Sequence, residues 1–207
     1  MAARMAKAKR EPASEKAWVS RLVRGILLWA LPCAVVWLVV TPIYNRVLAG
    51  WTERLIRLSE RPAVSRVEMQ DAHYAAIRRS DYAGDKHLYR IRVTDLHFNL
   101  ILTGALFAAV PAAASISRKR RLTNLGWALF ASVLFHILLF FFFVKFVYAT
   151  QLGAWSGEHY GAFAQNFWGL GKHMLDLAFK FALPLILWAG FYYTELVEHL
   201  PKRSAAS

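Results

Sequence analysis

One cysteine in 207 residues excludes a disulfide framework. That residue, Cys33, has no basic neighbour in sequence to hold it as a thiolate. It lies inside an apolar run and reads as a small buried side chain, not a nucleophile. The short motifs of common chemistries are missing too: no GxSxG, HExxH, Walker loop or CxxC occurs. No catalytic residue, metal or cofactor is therefore expected. Acidic residues are scarce, 13 against 26 Lys and Arg, which leaves a formal charge of +13. In a soluble protein that balance would raise nucleic acid as a partner.

What the chain has in excess is apolar length. Apolar residues make up 57% of it, against roughly 45–50% in a soluble domain, and they come in blocks. A membrane span needs about 20 such residues, because the hydrocarbon core is about 30 Å thick and a helix rises about 1.5 Å per residue. Gly25–Asn45 and Leu96–Ser117 carry no charge. Leu122–Val144 is equally apolar and continues past Lys145, and Leu175–Thr194 carries Asp176 and Lys180 near its start. The expected fold is an all-α membrane protein: a four-transmembrane-helix bundle with a small extracytoplasmic β-hairpin or meander. Its spans are residues 21–46, 96–117, 122–150 and 173–196, and its main partner is the lipid bilayer.

The basic residues set the orientation. They gather before the first span (Arg4, Lys7, Lys9, Arg10, Lys16, Arg21, Arg24), between the second and third (Arg118 to Arg121) and after the fourth (Lys202, Arg203). Short Lys- and Arg-rich segments stay in the cytoplasm. Residues 1–20 are thus expected to be a disordered cytoplasmic tail, 118–121 a cytoplasmic link and 197–207 a cytoplasmic tail. Topology then accounts for the charge, and nucleic acid is not an expected partner. Residues 47–95 and 151–172 fall outside. The former is rich in Arg, but the stretch 46–95 balances ten basic residues with seven acidic ones, at a length where charge loses its hold on topology. The first span is too long for a cleaved h-region and reads as a signal anchor.

Outside, Val47–Arg61 keeps helical spacing with Trp51, Leu55 and Leu58 near one face, which suits a helix on the membrane surface ended by Pro62. Alternation in 64–70 and 88–93, the run His73–Arg79 and turn residues in 80–86 predict a meander of two or three strands. In the second span Gly104, Ala108 and Ala112, with Ala105, Ala109 and Ala113, offer small faces for helix packing. Pro111 and Pro184 are expected to kink their helices. The aromatic residues of the third span (Phe130, Phe135, Phe140 to Phe143) suit lipid, and Trp155, Tyr160, Phe163, Phe167 and Trp168 suit an interfacial belt.

Polar residues collect at the outer helix ends. Asp95, His97 and Asn99 lead into span two, and Lys145 leaves span three. Glu158 and His159 lie in the second loop, and His173, Asp176 and Lys180 enter span four. Asp176 and Lys180, four apart, can pair. One reading is plain solvation by water and headgroups, with the lysines snorkelling. The other is one connected partner- or ligand-binding site on the outer face. A haem would need His97 and His173 at one depth on facing helices. His136 is separate, near the middle of span three, where a neutral imidazole bonded to another helix is expected.

The runs TDLHFNLILTGALFAAVPAA and KFVYATQLGAWSGEHYGAFAQNFWGLGKHMLDLAFKFALPLILW, with the strand-like VSRVEMQDAHYAAIRRSDY between spans one and two, resemble the exosortase H-associated membrane proteins over residues 20–195. Exosortases are membrane transpeptidases that process C-terminal sorting signals with Cys and Arg, a pattern absent here. The resemblance implies a non-enzymatic accessory protein of the bacterial plasma membrane, partnered with an exosortase-like enzyme. The alternative from the residues is a small transporter or lipid-handling protein using the outer polar cluster and His136.

Overall fold

The structure, a computed structural model, describes residues 12–82, 89–109 and 116–193, with side-chain surroundings from residue 19. Its longest element is α1, Pro12–Leu58, a single helix of 47 residues that runs through Pro32 and Pro42. At about 1.5 Å per residue it is about 70 Å long, more than twice a hydrocarbon core of about 30 Å. Two expectations change. The tail expected to be disordered is helical from Pro12, residues 1–11 lying outside the described residues. The surface helix expected over Val47–Arg61 is the end of α1. Its inward face also differs: Leu48, Ala49, Thr52 and Ile56 are buried, while Trp51 and Leu58 are exposed. The 48/52/56 stripe carries the β-sheet, and that contact decides the face.

The sheet is a three-stranded antiparallel meander of β1 (Ser65–Met69), β2 (Tyr74–Arg79) and β3 (Tyr89–Arg92), in that order. Register pairs Val67 with Ile77, and Ala75 with Ile91. These inward residues join Leu48 and Ile56 of α1 and Val144, Val147 and Tyr148 of the long helix Arg118–Thr150 in one core. The meander read from the alternation is therefore present, although 83–88, which include part of the expected turn, lie outside the described residues. The free edge of β1 is closed by α1 and the residues just after it: the amide of Ser65 donates to Glu60 Oε2 (3.2 Å), beyond the helix end, and that of Val67 to Glu53 Oε2 (3.0 Å) within it. Capping those amides blocks pairing of a further strand there.

A short 3₁₀ turn, Val93–Leu96, leads into α2, Leu100–Ala108. Nine residues reach about 13 Å, too short to cross a bilayer. Residues 110–115, with Pro111, lie outside the described residues, so the segment expected to be the second span is described mainly in its first half. Among the described residues three helices are long and apolar enough to cross a membrane: Val19–Leu58, Arg118–Thr150 and Ala162–Phe191. The second is α3, Arg118–Thr150, so residues 118–121 are its first turn and not a separate link; Ser117 caps it by accepting the Arg120 amide. The third combines α5 (Ala162–His173), a π-helical stretch (Met174–Phe179) and α6 (Lys180–Phe191). The expected loop 151–172 is largely helical, since α4 (Ala154–His159) precedes α5. Residues 194–207, with the last residues of the expected fourth span and the C-terminal tail, lie outside the described residues.

Small residues bring α1 and α2 together: a Cβ on Gly104 would come within 2.9 Å of Cys33 Sγ, and one on Gly25 within 3.1 Å of the Ala109 Cβ. The aromatic run of α3 is not simply lipid-facing. Phe140 is fully buried, and Phe141 and Phe142 meet Trp168 edge-on. Of the expected interfacial belt, Trp155, Tyr160 and Trp168 are half-buried, while Phe163 and Phe167 are exposed.

Candidate functional site

Two buried relays hold the helices together, and each is built alike. In the first, the Trp37 indole donates to His97 Nδ1 (3.0 Å). An indole N–H can only donate, so Nδ1 is the acceptor and Nε2 carries the proton. Nε2 donates to Asn45 Oδ1 (2.6 Å), and the Asn45 amide passes to the Ala72 carbonyl (2.8 Å) and Thr94 Oγ1 (3.2 Å). His73 Nδ1 meets the same hydroxyl at 3.0 Å. This chain ties α1 to the turn before α2 and to the sheet.

In the second relay Tyr44 OH and His136 Nδ1 are 2.8 Å apart, and His136 Nε2 reaches Asn99 Oδ1 at 2.8 Å. Asn99 Nδ2 donates to the Lys180 carbonyl (2.8 Å), which leaves Oδ1 as acceptor, so Nε2 bears the proton and the tyrosine donates. The Lys180 carbonyl needs that donor. Its helical partner would be the amide of residue 184, which is Pro184 and has none. The expected kink residue is thus matched by the carboxamide of Asn99, which caps α2. Both imidazoles are neutral, fully buried and bonded at both nitrogens. A buried polar group without such partners would cost roughly 1–3 kcal/mol.

Charge enters at one end of the second relay. Lys180 Nζ pairs with Asp176 Oδ1, as the i,i+4 spacing predicts, and also donates to the Asp95 carbonyl (3.3 Å). Lys172 Nζ lies 3.1 Å from Asp176 Oδ2. The carboxylate therefore sits between two cations, which lowers the cost of holding all three near a span.

A separate ionic cluster sits where the sheet meets the helix ends. Glu60 Oε1 accepts from Arg79 Nη1 (2.9 Å) and lies 3.7 Å from Lys145 Nζ. Ser65 Oγ donates to Glu60 (2.8 Å) and accepts from Tyr148 OH (2.8 Å). The Arg79 guanidinium lies over the rings of Tyr148 and Trp155, 4.6 and 4.7 Å from their centroids, and makes a two-pronged contact with Asp81. Burial pulls the Arg79 pKa down, but hydrogen bonding to Asp81 and the Glu60 charge more than offset it. The same hydrogen bond holds the Asp81 carboxyl below the usual carboxylate range, and burial pushes the Tyr160 hydroxyl up.

The nine outer residues therefore do not converge on one site. Asn99, Asp176 and Lys180, with the backbone of Asp95, form one network, and His136 belongs to it instead of standing apart. His97 belongs to the other relay and meets this one only through its ring, 4.7 Å from that of Tyr44. Lys145 belongs to the Glu60–Arg79 cluster. His159 stacks on Trp155 at 4.1 Å, on the solvent side of that cluster. Glu158 and His173 are exposed, the latter with its ring against Phe146. His97 has no free nitrogen, which removes the His97–His173 haem pair. Sequence reasoning passed over Asn45, Tyr44 and Trp37, polar groups inside an uncharged run, and Glu60 and Arg79. Arg79 carried a signal: it shares the inward phase of Ala75 and Ile77. A comparison with known protein families, curated proteins and solved structures finds no match for this chain.

Proposed function

We propose that this chain is a non-enzymatic accessory protein of the membrane that docks a partner membrane protein through its sheet. The observation that supports this is how the polar groups divide. The histidines and charges embedded in the helices are bonded to one another and fix the bundle. The sheet, by contrast, turns an arginine-rich face to solvent: Arg66, Arg90 and Arg92 are exposed and Arg78 half-buried. Three acids stand among these four arginines, Glu68 3.2 Å from Arg78, Asp71 2.9 Å from Arg90 and Asp95 3.5 Å from Arg92, which leaves the face net positive. Such a face suits an acidic loop of a partner and speeds its encounter. In this reading the chain crosses the membrane four times, with both ends in the cytoplasm and the sheet outside. Since α1 far exceeds the hydrocarbon thickness and the sheet grips its projecting end, the sheet lies clear of the lipid. The resemblance makes an exosortase-like transpeptidase of a bacterial plasma membrane the partner. A transporter working through the outer polar cluster is less favoured, because no ring nitrogen of His97 or His136 is left for a substrate.

The test is photocrosslinking in cells, with a photoreactive amino acid at Arg66 or Arg90 and, as control, at Leu185 on the exposed side of α6. The reading expects a discrete crosslinked membrane protein from the sheet positions, lost when Arg66 and Arg90 are both changed to Glu. Equal crosslinking from Leu185, or none from the sheet, would overturn it.

A further inference from the structure

Below the Tyr44–His136 bridge, α1 and α3 part, and α2 floors the gap with Gly104 and Ala108. The result is a groove of about 490 Å³, walled by Trp29 and Val36 of α1 and by Leu125 and Leu129 of α3. Val36 and Leu129 on its rim are exposed, so it opens outward to where lipid would lie. His97 and Tyr44 close its upper end, but Tyr44 OH is bonded to His136, and His97 to Trp37 and Asn45. The groove therefore offers almost no polar contact.

Dimensions select the occupant. From Trp29 to Tyr44 the groove follows α1 for 15 residues, about 22 Å at 1.5 Å per residue, most of a hydrocarbon core of about 30 Å. A partner helix about 10 Å across and of that length occupies about 1,700 Å³, more than the roughly 1180 Å³ of empty space in the groove and its mouth. One extended hydrocarbon chain is thin enough. Its polar end must leave at the end opposite Tyr44 and His97, toward the start of α3. There Arg118, exposed, lies seven residues before Leu125, two turns down on the same helix face. An exposed arginine at the membrane surface favours an anionic headgroup.

We propose that the groove between α1, α2 and α3 holds one acyl chain of an anionic phospholipid, with its phosphate at Arg118. The geometry assigns this site independently of any partner protein.

The test uses the full chain in nanodiscs, with a diazirine on the acyl chain of either phosphatidylglycerol or phosphatidylcholine, and maps crosslinks by mass spectrometry. The phosphatidylglycerol probe should label Val36, Leu129 and their groove neighbours well above Leu28 and Val39, which are exposed on α1 outside the groove. Arg118→Gln should reduce its advantage over phosphatidylcholine by about five-fold. Leu129→Trp should bring groove labelling down to the Leu28 level, whereas Leu134→Trp, on an exposed α3 position outside the groove, should leave it unchanged. Thermal melting of each variant confirms folding. Labelling of the groove no stronger than at Leu28, or insensitive to Leu129→Trp, would overturn the site. Equal labelling by the two probes would overturn the assignment of an anionic headgroup.

Discussion

Asn99, the residue that caps α2, completes a helix that Pro184 interrupts, donating to the Lys180 carbonyl at 2.8 Å while its own oxygen accepts the His136 Nε2 hydrogen bond. Asn99→Ala strands both buried groups and should lower stability by about 2–4 kcal/mol, read as a fall in melting temperature in detergent. Pro184→Ala returns an amide to the Lys180 carbonyl, so in that background the same change should cost about 1 kcal/mol less. An equal cost in both backgrounds would refute the pairing.

Glu60 neutralises two cations whose side chains are about as buried as its own. Glu60→Gln leaves Lys145 without its carboxylate beside an Arg79 that keeps only Asp81 and should destabilise the sheet by about 3–5 kcal/mol. Adding Lys145→Met to that variant should recover part of the loss. Limited proteolysis within 59–82 reads the effect; cleavage at the wild-type rate in Glu60→Gln would show that the cluster does not hold the sheet.

Low pH should loosen the same junction. The Arg79 hydrogen bond holds Asp81 below its ordinary value, and the amides of His73 and Tyr74 do the same for Asp71. A carboxyl with a depressed folded pKa adds stability above its unfolded value, near 4, and that stability is lost as pH falls through the folded value. Hydrogen exchange of β1 and β2 amides should therefore be slow at pH 5 and accelerate below pH 4. Asp81→Asn should flatten that dependence. Protection unchanged down to pH 3 would contradict it.

The apolar blocks and the strand alternation were legible because each repeats one physical rule over many residues. Gly25–Asn45 and Leu122–Val144 are uncharged or nearly so over a bilayer's thickness, and Val67, Ala75, Ile77 and Ile91 fall in the period of a sheet with one buried face. The extent of α1 was not legible, because Pro62 and the polar residues after Asn45 suggest a break at the surface, and only the docked sheet fixes which face of residues 47–58 turns inward. The relays were half legible. Asp176–Lys180 follows from helix spacing, but Asn45 to His97 and His136 to Asn99 join residues 52 and 37 apart in sequence, and no local pattern marks them. Gathering the outer polar residues by depth alone merged the two relays with the Glu60–Arg79–Lys145 cluster at the sheet.

Orientation is tested by cysteine accessibility in a Cys33→Ser background. Arg120→Cys should react with a membrane-impermeant maleimide only after the membrane is opened, whereas Arg66→Cys and Arg90→Cys should react in intact cells. Labelling of position 120 from outside would reverse the topology and move the sheet to the cytoplasm.

The accessory role is tested most directly by deleting the gene in its source organism and reading, by mass spectrometry of membrane and secreted fractions, the C-termini of proteins that carry a C-terminal sorting signal. The account predicts that uncleaved precursors accumulate. Cleavage should be restored by the wild-type gene but not by Arg66→Glu with Arg90→Glu, a double variant that reaches the membrane at normal abundance. Complete cleavage in the deletion strain would contradict the account.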